Sequence, residues 1–261
     1  MPPLIALLTD FGTRDPYVGI MQGVILSRAP HAVCVSLTHE IEPGDIAGGA
    51  LALLAAAEYF PVGTIFLAVV DPGVGGARRP LCLRSGGRHW VGPDNGLLWP
   101  SAAALGTPAA YLLANEAHRL PRVSRTFHGR DVFAPAAAAL ARGIPAEALG
   151  PPILDPVRLD FPEPTVRDER VVGEVLTIDR FGNAITNLRP EHLGDPAPGE
   201  AVFTVKRRAI RGPVTHYGAV PAGELLAIVG SLGRYEIAVN RGSAAERLGL
   251  RRGDRVAARR R

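Results

Sequence analysis

The chain has 261 residues, of which 47% are hydrophobic and 21% are charged, and its formal net charge is +4. This length allows one large domain or two modest ones, and the composition is ordinary for a globular protein. The apolar runs are shorter than the roughly 20 residues of a membrane helix, and Met1-Pro2-Pro3 leads into a strand without a basic region. We therefore expect a cytoplasmic protein that does not associate with membranes.

Strand and helix signals alternate over the first part of the chain. Asp45 is suited to cap the second of the helices. The alternation predicts a layered α/β domain with a mostly parallel central sheet, which we assign to residues 1–158. Strands are predicted at 4–8, 32–37, 64–70 and 110–114, a hairpin at 81–91, and helices at 17–27, 45–59 and 131–142.

The pattern changes near Gly150. Prolines crowd residues 151–164, which predicts an extended linker that we place at 159–170. Beyond Arg170 the helical patterns disappear, and short strand runs are separated by glycine and proline. This predicts a small all-β domain, a barrel, over residues 171–261. Its strands are predicted at 171–178, 184–188, 201–205, 224–229, 235–239 and 255–258.

The cysteines and the arginine-rich C-terminus carry little functional signal. Cys34 and Cys82 lie in apolar, strand-like runs, which is typical of buried free thiols rather than of a disulfide or a metal site. The arginines after residue 250 lack interleaved aromatic residues and fit no known nucleic-acid motif. They predict a solvated tail, and we expect no nucleic-acid partner.

The segment 65–79 gives the clearest indication of a site. Its apolar run is typical of a strand buried on both faces, and Pro72 must end that strand. Asp71 is therefore predicted at the carboxyl end of a buried strand, where open α/β sheets bind ligands. The loop that follows would bring Arg78 back towards Asp71. Because this loop lacks the glycine spacing of a dinucleotide or P-loop motif, we exclude phosphate binding there.

Two more residues are candidates, and Asp10 is predicted at the same edge of the sheet. Asp10 follows the first strand as Asp71 follows the third, and its carboxylate could either bind the two hydroxyls of a ribose or cap the next helix. His128 precedes the helix at 131–142, where the helix dipole disfavours the imidazolium and favours a neutral proton acceptor. The alternative is a surface histidine, with His39 at another strand end as the reserve candidate.

Polar breaks also interrupt the predicted strands of the second domain. Asp179, Phe181 and Asn183 lie in one break and would suit a base and an amino group, although a bulge or a turn explains the break equally well. Ser231 lies in a similar break between two apolar strands. In the first domain, Asp94 and Asn95 are predicted to be turn residues.

Several of these segments form an ordered set of motifs that spans almost the whole chain. In chain order they are TDFG at 9–12, DPYVG at 15–19, VVDPGVG at 69–75 with Arg78 and Arg79, GPDNG at 92–96, FHGRD at 127–131, IDRFGN at 178–183 and IAVN at 237–240. The set resembles the S-adenosyl-L-methionine (SAM) hydroxide adenosyltransferases, or SAM hydrolases, which are relatives of the fluorinating and chlorinating SAM halogenases. Each motif is weak alone, but the ordered set is specific.

The resemblance implies a fold, an assembly and a reaction. The fold is an N-terminal α/β domain followed by a β-barrel, and the assembly is a homotrimer with SAM between the N-terminal domain of one subunit and the C-terminal domain of the next. The reaction is hydrolysis of SAM to adenosine and L-methionine by in-line attack of an activated water on ribose C5′. SAM is the substrate, and no cofactor is implied.

The resemblance also implies roles for individual residues. Asp71, Arg78 and His128 match the residues that handle the water. Substrate-binding positions follow: Asp10 for the ribose diol, Tyr17 in the substrate pocket, Asp179 and Ser231 for the methionine ammonium and carboxylate, and Phe181, Asn183 and the Val239 backbone for adenine.

This chain departs from the halogenases in ways that bear on the nucleophile. Halogenases have an uncharged sequence in place of Asp71 and Arg78, and an extra loop that we do not find here, so both differences favour water over halide. Leu232 stands where halogenases have an arginine for the substrate carboxylate, which leaves that anchor open. The alternatives are a chloride-using SAM halogenase and a non-catalytic nucleoside- or SAM-binding protein. A SAM methyltransferase would need a glycine-rich loop after the first strand, which residues 9–12 do not supply.

Overall fold

A computed structural model describes residues 2–167 and 170–261, which form two compact units that divide between Asp160 and Phe161. Positions 168 and 169 of the predicted linker lie outside the described residues. Within the described ranges, the helices lack the combination of length and apolar character that crossing a bilayer requires.

The first unit is built on a sheet in the spatial order β2-β1-β3-β5-β4-β6-β7. Its strands are β1 (Leu4–Thr9), β2 (Val33–Thr38), β3 (Ile65–Val69), β4 (Pro80–Ser85), β5 (Arg88–Pro93), β6 (Ala109–Leu112) and β7 (Pro152–Ile153). Parallel pairing runs from β2 through β1 and β3 to β5. The α/β class is confirmed, but the sheet is mixed where we expected it to be mostly parallel, because the predicted β4–β5 hairpin continues it with antiparallel strands.

Helices cover both faces of this sheet. They are α1 (Tyr17–Arg28), α2 (Ile46–Ala57), α3 (Trp99–Ala104) and α4 (Ala134–Ala141). Helices α1 and α4 share a core with Ile5, Leu7 and Leu67, which point to one face because they alternate along their strands. On the other face, Gly49 of α2 packs directly against Leu8 and Val70. The carboxyl ends of β1 and β3 are adjacent, with Thr9 paired to Val69, so Asp10 and Asp71 emerge at one edge of the sheet as predicted.

Local signals explain where two of these helices begin. The predicted cap is confirmed, because the Asp45 side chain accepts a hydrogen bond from the Gly48 amide of α2. The helix predicted at 131–142 instead starts with a π-helical turn, Gly129–Phe133, and continues as α4. Pro135 has no amide hydrogen to donate to the Asp131 carbonyl, so that carbonyl accepts from the Leu120 amide and the turn stays wide.

The second unit is an antiparallel, nearly closed barrel, which confirms the prediction. Its strands are β8 (Thr165–Arg167), β9 (Arg170–Ile178), β10 (Ala184–Thr186), β11 (Ala201–Val205), β12 (Arg208–Gly212), β13 (Leu225–Val229), β14 (Tyr235–Val239) and β15 (Arg255–Arg260). The order is β12-β11-β15-β9-β10-β14-β13, with β8 beside β9, and a bridge from Val214 to Ile228 links the two ends. Inside, the rings of Phe203 and Tyr235 pack 4.7 Å apart.

The expectation that helices disappear after Arg170 is wrong. A short helix, α5 (Ala244–Leu248), follows β14. The Ser243 hydroxyl caps it by accepting from the Glu246 amide, and Gly249 ends it with a φ of 62°. Five residues are too few to show a helical period in the sequence.

Candidate functional site

Asp71 and Arg78 form a nearly buried ion pair just beyond the end of β3. Arg78 Nε lies 2.9 Å from Asp71 Oδ1, and Arg78 Nη2 also donates to Asp71 Oδ2. The side chains are 10% exposed for Arg78 and 5% for Asp71. The predicted return of Arg78 towards Asp71 is therefore confirmed. A guanidinium that donates to a carboxylate from two nitrogens fixes its orientation.

His128 completes this cluster. Its Nδ1 lies 2.7 Å from Arg78 Nη2. Because a guanidinium can only donate, Nδ1 must accept, and the ring is therefore neutral with its proton on Nε2. Burial, and then the positive charge of Arg78, lower the pKa of His128 below its ordinary value. The cluster thus offers a donor, Nε2–H, and a carboxylate whose oxygens retain acceptor capacity.

Backbone packing explains how residues so far apart in sequence meet. Gly75 adopts a φ of 73°, and a Cβ at this position would collide with the Arg125 carbonyl. Glycine therefore lets the loop after β3 lie against the segment that leads to His128. The Arg78 guanidinium also lies 5.2 Å from the centre of the Phe133 ring, in the π-helical turn that begins directly after His128.

Asp10 lies in a neighbouring cavity of about 510 Å³, which Phe11, Tyr17, Gly44 and Asp71 also line. Asp10 Oδ2 accepts from the Gly44 amide at 2.8 Å, which orients the carboxylate and leaves Oδ1 as a further acceptor. The alternative role as a helix cap is not realised, since α1 begins after Pro16. The rings of Phe11, Tyr17 and Phe127 lie edge to face at 5.2 to 6.0 Å and form an apolar wall.

The reserve candidate, His39, has a structural role. Its ring is buried, with Nδ1 2.9 Å from Thr9 Oγ1 and Nε2 2.8 Å from Ser36 Oγ. Both nitrogens are engaged within the protein, so the ring ties the end of β2 to the end of β1. Asn95 also reaches this region, because its side chain donates to the Val70 carbonyl at 2.9 Å and steadies the end of β3.

The second unit carries an open cleft of about 1200 Å³, and the turn at 179–183 forms part of its wall. Asp179 organises this turn. Its Oδ1 accepts from the amides of Phe181 and Asn183, and its Oδ2 accepts from Asn183 Nδ2, at 2.8 to 2.9 Å. The Asn183 amide group therefore keeps its Oδ1 as an acceptor. Phe181, at the tip of the turn, projects its ring into solvent and is 77% exposed.

The remaining predicted residues also line this cleft. Ser231 and Leu232 lie in the tight turn between β13 and β14. Val239 ends β14, and its carbonyl accepts from the Gly242 amide at 3.2 Å.

Sequence reasoning missed two cleft residues. Tyr217 is 42% exposed, and its hydroxyl donates to Glu236 Oε2 at 2.9 Å. Burial and this hydrogen bond raise the pKa of Tyr217 to about 12. Burial raises the pKa of Glu236 as well. Glu236 carries no recognisable motif, although a carboxylate inside the apolar run of β14 was a signal that could have been used.

The ten predicted residues thus fall into two groups, one in each unit. Asp10, Tyr17, Asp71, Arg78 and His128 lie together at the edge of the first sheet, and Asp179, Phe181, Asn183, Ser231 and Val239 line the cleft of the second unit. Among residues 2–167 and 170–261, no group of three or more His, Cys, Asp or Glu side chains could hold a metal ion.

Comparison with family models gives the same division of the chain. Residues 5–150 match the model of the SAM hydroxide adenosyltransferase N-terminal domain, and residues 173–257 match that of the C-terminal domain.

Full-length relatives and solved structures are also similar. The chain is 44% identical to a (R)-S-adenosyl-L-methionine hydrolase of Thermus thermophilus, over 95% of this chain and 96% of that one. It is 43% identical to a protein of the same name from Salinispora tropica, over 97% of each. A crystal structure of an uncharacterised conserved protein from Thermotoga maritima superposes with a TM-score of 0.91 at 36% identity, over 98% of this chain and all of that one. A fluorinase of Actinoplanes sp. is more distant, at 31% identity over 73% of each chain.

Proposed function

This chain belongs to the SAM hydroxide adenosyltransferase family, and we propose that it hydrolyses SAM to adenosine and L-methionine. The observation that carries the proposal is the contact of one guanidinium, Arg78, with both Asp71 and His128 at the ligand edge of the sheet. Such a cluster can orient a water molecule and receive its proton. The names of the relatives support the same substrate, and they specify its (R) epimer at sulfur, which we propose for this chain too.

The reaction needs a positioned nucleophile more than a strong acid. The water oxygen forms a bond to C5′ as the C5′–S bond breaks, and the electron pair of that bond returns to sulfur. Methionine leaves as a neutral thioether, so its departure requires no proton and no cofactor. Attack must occur in line from about 3–3.5 Å, which favours a site that grips the rigid ribose.

We assign the proton of the water to Asp71 rather than to His128. The Nδ1 lone pair of His128 is already occupied by Arg78, and its Nε2 carries a proton, so the ring can orient the water by donating to its oxygen. The oxygen becomes strongly acidic only as it bonds to carbon. A weak base held in place, such as Asp71, therefore suffices.

We propose that the other residues bind the substrate. Asp10 Oδ1 would accept from the ribose hydroxyls, with Tyr17 in the adjoining wall. Adenine would lie against the exposed ring of Phe181 and bond to Asn183 and the Val239 backbone, with Asp179 and Ser231 near the methionine end.

We further propose a homotrimer in which each site joins the first unit of one subunit to the second unit of the next. The division of the site residues between two units supports this arrangement, as does the family resemblance. A cytoplasmic location fits two cysteines that are both free thiols.

The decisive experiment incubates the purified protein with each sulfonium epimer of SAM and separates the products by chromatography. Adenosine and methionine in equal amounts, formed faster from the (R) epimer, are expected. A parallel incubation with chloride tests the halogenase alternative, which would yield 5′-chloro-5′-deoxyadenosine. If adenosine does not rise above the level without protein, the proposed function is wrong.

The shared site has its own test. At a low SAM concentration we expect Asp71→Asn to be nearly inactive because its kcat falls, and Asp179→Ala because it binds SAM weakly. Co-assembled subunits should regain activity at sites that combine two unaltered halves. Molar mass from light scattering should correspond to three chains. A monomer, or mixed samples that stay inactive, would contradict the proposed assembly.

A further inference from the structure

The cleft of the second unit has a charged group at its floor that the resemblance does not account for. Glu236 is only 5% exposed. It pairs with Ile185 of β10 on one side and Ile228 of β13 on the other, and residues directly opposite in antiparallel strands share a face. All three side chains line the cleft. The carboxylate therefore stands in an apolar row that forms the floor.

The two oxygens of Glu236 are held in different ways. Oε2 accepts from the Tyr217 hydroxyl at 2.9 Å. Oε1 lies against Gly230, where any side chain would overlap it. The carboxylate is thus placed between Tyr217 and the turn that carries Ser231, and glycine is needed at position 230 to admit it.

The charge of Glu236 is not balanced by the protein around it. In the part of the chain that the structure describes, Glu236 forms no salt bridge, and Asp179 is a second negative group close enough to disfavour its ionisation. Arg180 and Arg241 line the cleft but are exposed to solvent. A buried carboxylate without a cation costs folding free energy. A positively charged ligand would remove that cost on binding.

The other carboxylate of the cleft is less available. Asp179 already accepts three hydrogen bonds from its own turn, at 2.8 to 2.9 Å, and these hold Phe181 and Asn183 in place. A carboxylate has about four acceptor positions, so Asp179 retains little capacity for a ligand. Within the described residues, Glu236 accepts a single hydrogen bond, and its other oxygen lies beside Gly230 at the Ser231 end of the cleft.

We propose that Glu236 binds the α-ammonium group of the substrate, and that this contact selects the amino-acid end of SAM. The inference rests on the proposed function, since SAM is the cationic ligand in question. It transfers to Glu236 most of the role that the resemblance gives to Asp179, which instead shapes the turn.

The test compares binding of SAM, of the analogue in which hydrogen replaces the ammonium, and of adenosine. Calorimetry in an Asp71→Asn background avoids consumption of SAM. We expect this protein to bind SAM about tenfold more tightly than the deaminated analogue, and Glu236→Gln to abolish that preference while adenosine affinity stays within about twofold. Glutamine keeps the size of the side chain and an oxygen for the Tyr217 hydroxyl.

Two further variants separate the effect of the Glu236 charge from effects on the structure of the cleft. Glu246→Gln removes an equivalent charge from an exposed position on the same cleft and should retain the preference. Tyr217→Phe removes the hydrogen bond but leaves the carboxylate, and it should retain the preference as well. Three outcomes would each overturn the inference. The protein could show no preference for SAM over the deaminated analogue, or Glu236→Gln could weaken the binding of all three ligands equally. The third is loss of the preference in Tyr217→Phe. Failure of the wild-type protein to release adenosine would instead refute the proposed function.

Discussion

The two groups of candidate residues differ in how their charges are balanced. At the edge of the first sheet, Arg78 contacts both Asp71 and His128, so the charges are paired before any ligand arrives. In the cleft of the second unit, Glu236 has a tyrosine hydroxyl as its partner and a second carboxylate nearby. We infer that the first group is organised in advance for chemistry, whereas the second group is completed by the charge of its ligand.

Replacing Asp71 should have the largest effect. Asp71→Asn keeps the shape of the side chain but removes the proton acceptor and the negative charge that pairs with Arg78. We expect kcat to fall by about 10³-fold, within the range for loss of a general base, while the Kd for SAM changes by less than about threefold. Initial rates of adenosine release and calorimetry measure the two quantities.

Asp155→Asn is a suitable control for that prediction. Asp155 also pairs with an arginine of the first unit, Arg79, but its side chain is largely exposed. Its replacement should leave kcat and the Kd for SAM nearly unchanged. A rise in Kd as large as the fall in kcat would show that the first group binds substrate instead of activating water.

The acid limb of the pH profile should report the charge state of His128. Protonation of Nδ1 would remove the acceptor for Arg78 and place a second cation beside it. Activity should therefore be retained at neutral pH and lost as the pH falls through the His128 pKa, which burial and Arg78 hold below its ordinary 6.5. We expect about a 10²-fold loss of kcat across this limb, because repulsion between the two cations would displace the ring that orients the water.

Replacing the neighbouring cation tests the cause of this shift. Arg78→Met removes a positive charge and should raise the His128 pKa. An NMR titration of the imidazole, assigned by comparison with His128→Gln, follows the shift independently of activity. An unchanged pKa in Arg78→Met would contradict the assigned contact.

The sequence was most informative where functional residues lie close together along the chain. The apolar run before Asp71 and the short loop to Arg78 predicted both the strand end and the ion pair, because seven residues separate the partners. His128 lies 50 residues beyond Arg78, so its position in the site was predicted only through the family resemblance. The sequence alone could not show that Gly75 packs against the Arg125 backbone and so brings the two segments together. Glu236 was missed because a lone carboxylate in a strand is normally solvated, whereas here it faces a cleft.

Removing the ring of Phe181 should have the smallest effect, confined to binding. The ring is 77% exposed, so its loss costs little folding stability, but stacking of a base on an aromatic ring is worth about 1–3 kcal/mol. We expect Phe181→Ala to raise the KM for SAM and the inhibition constant of adenosine by about tenfold and to leave kcat within about twofold. Val166→Ala, at another strongly exposed apolar position of the second unit, should change neither constant. A fall in kcat without a change in KM would mean that the cleft contributes to the chemical step, and the separation of binding and chemistry between the two units would then be wrong.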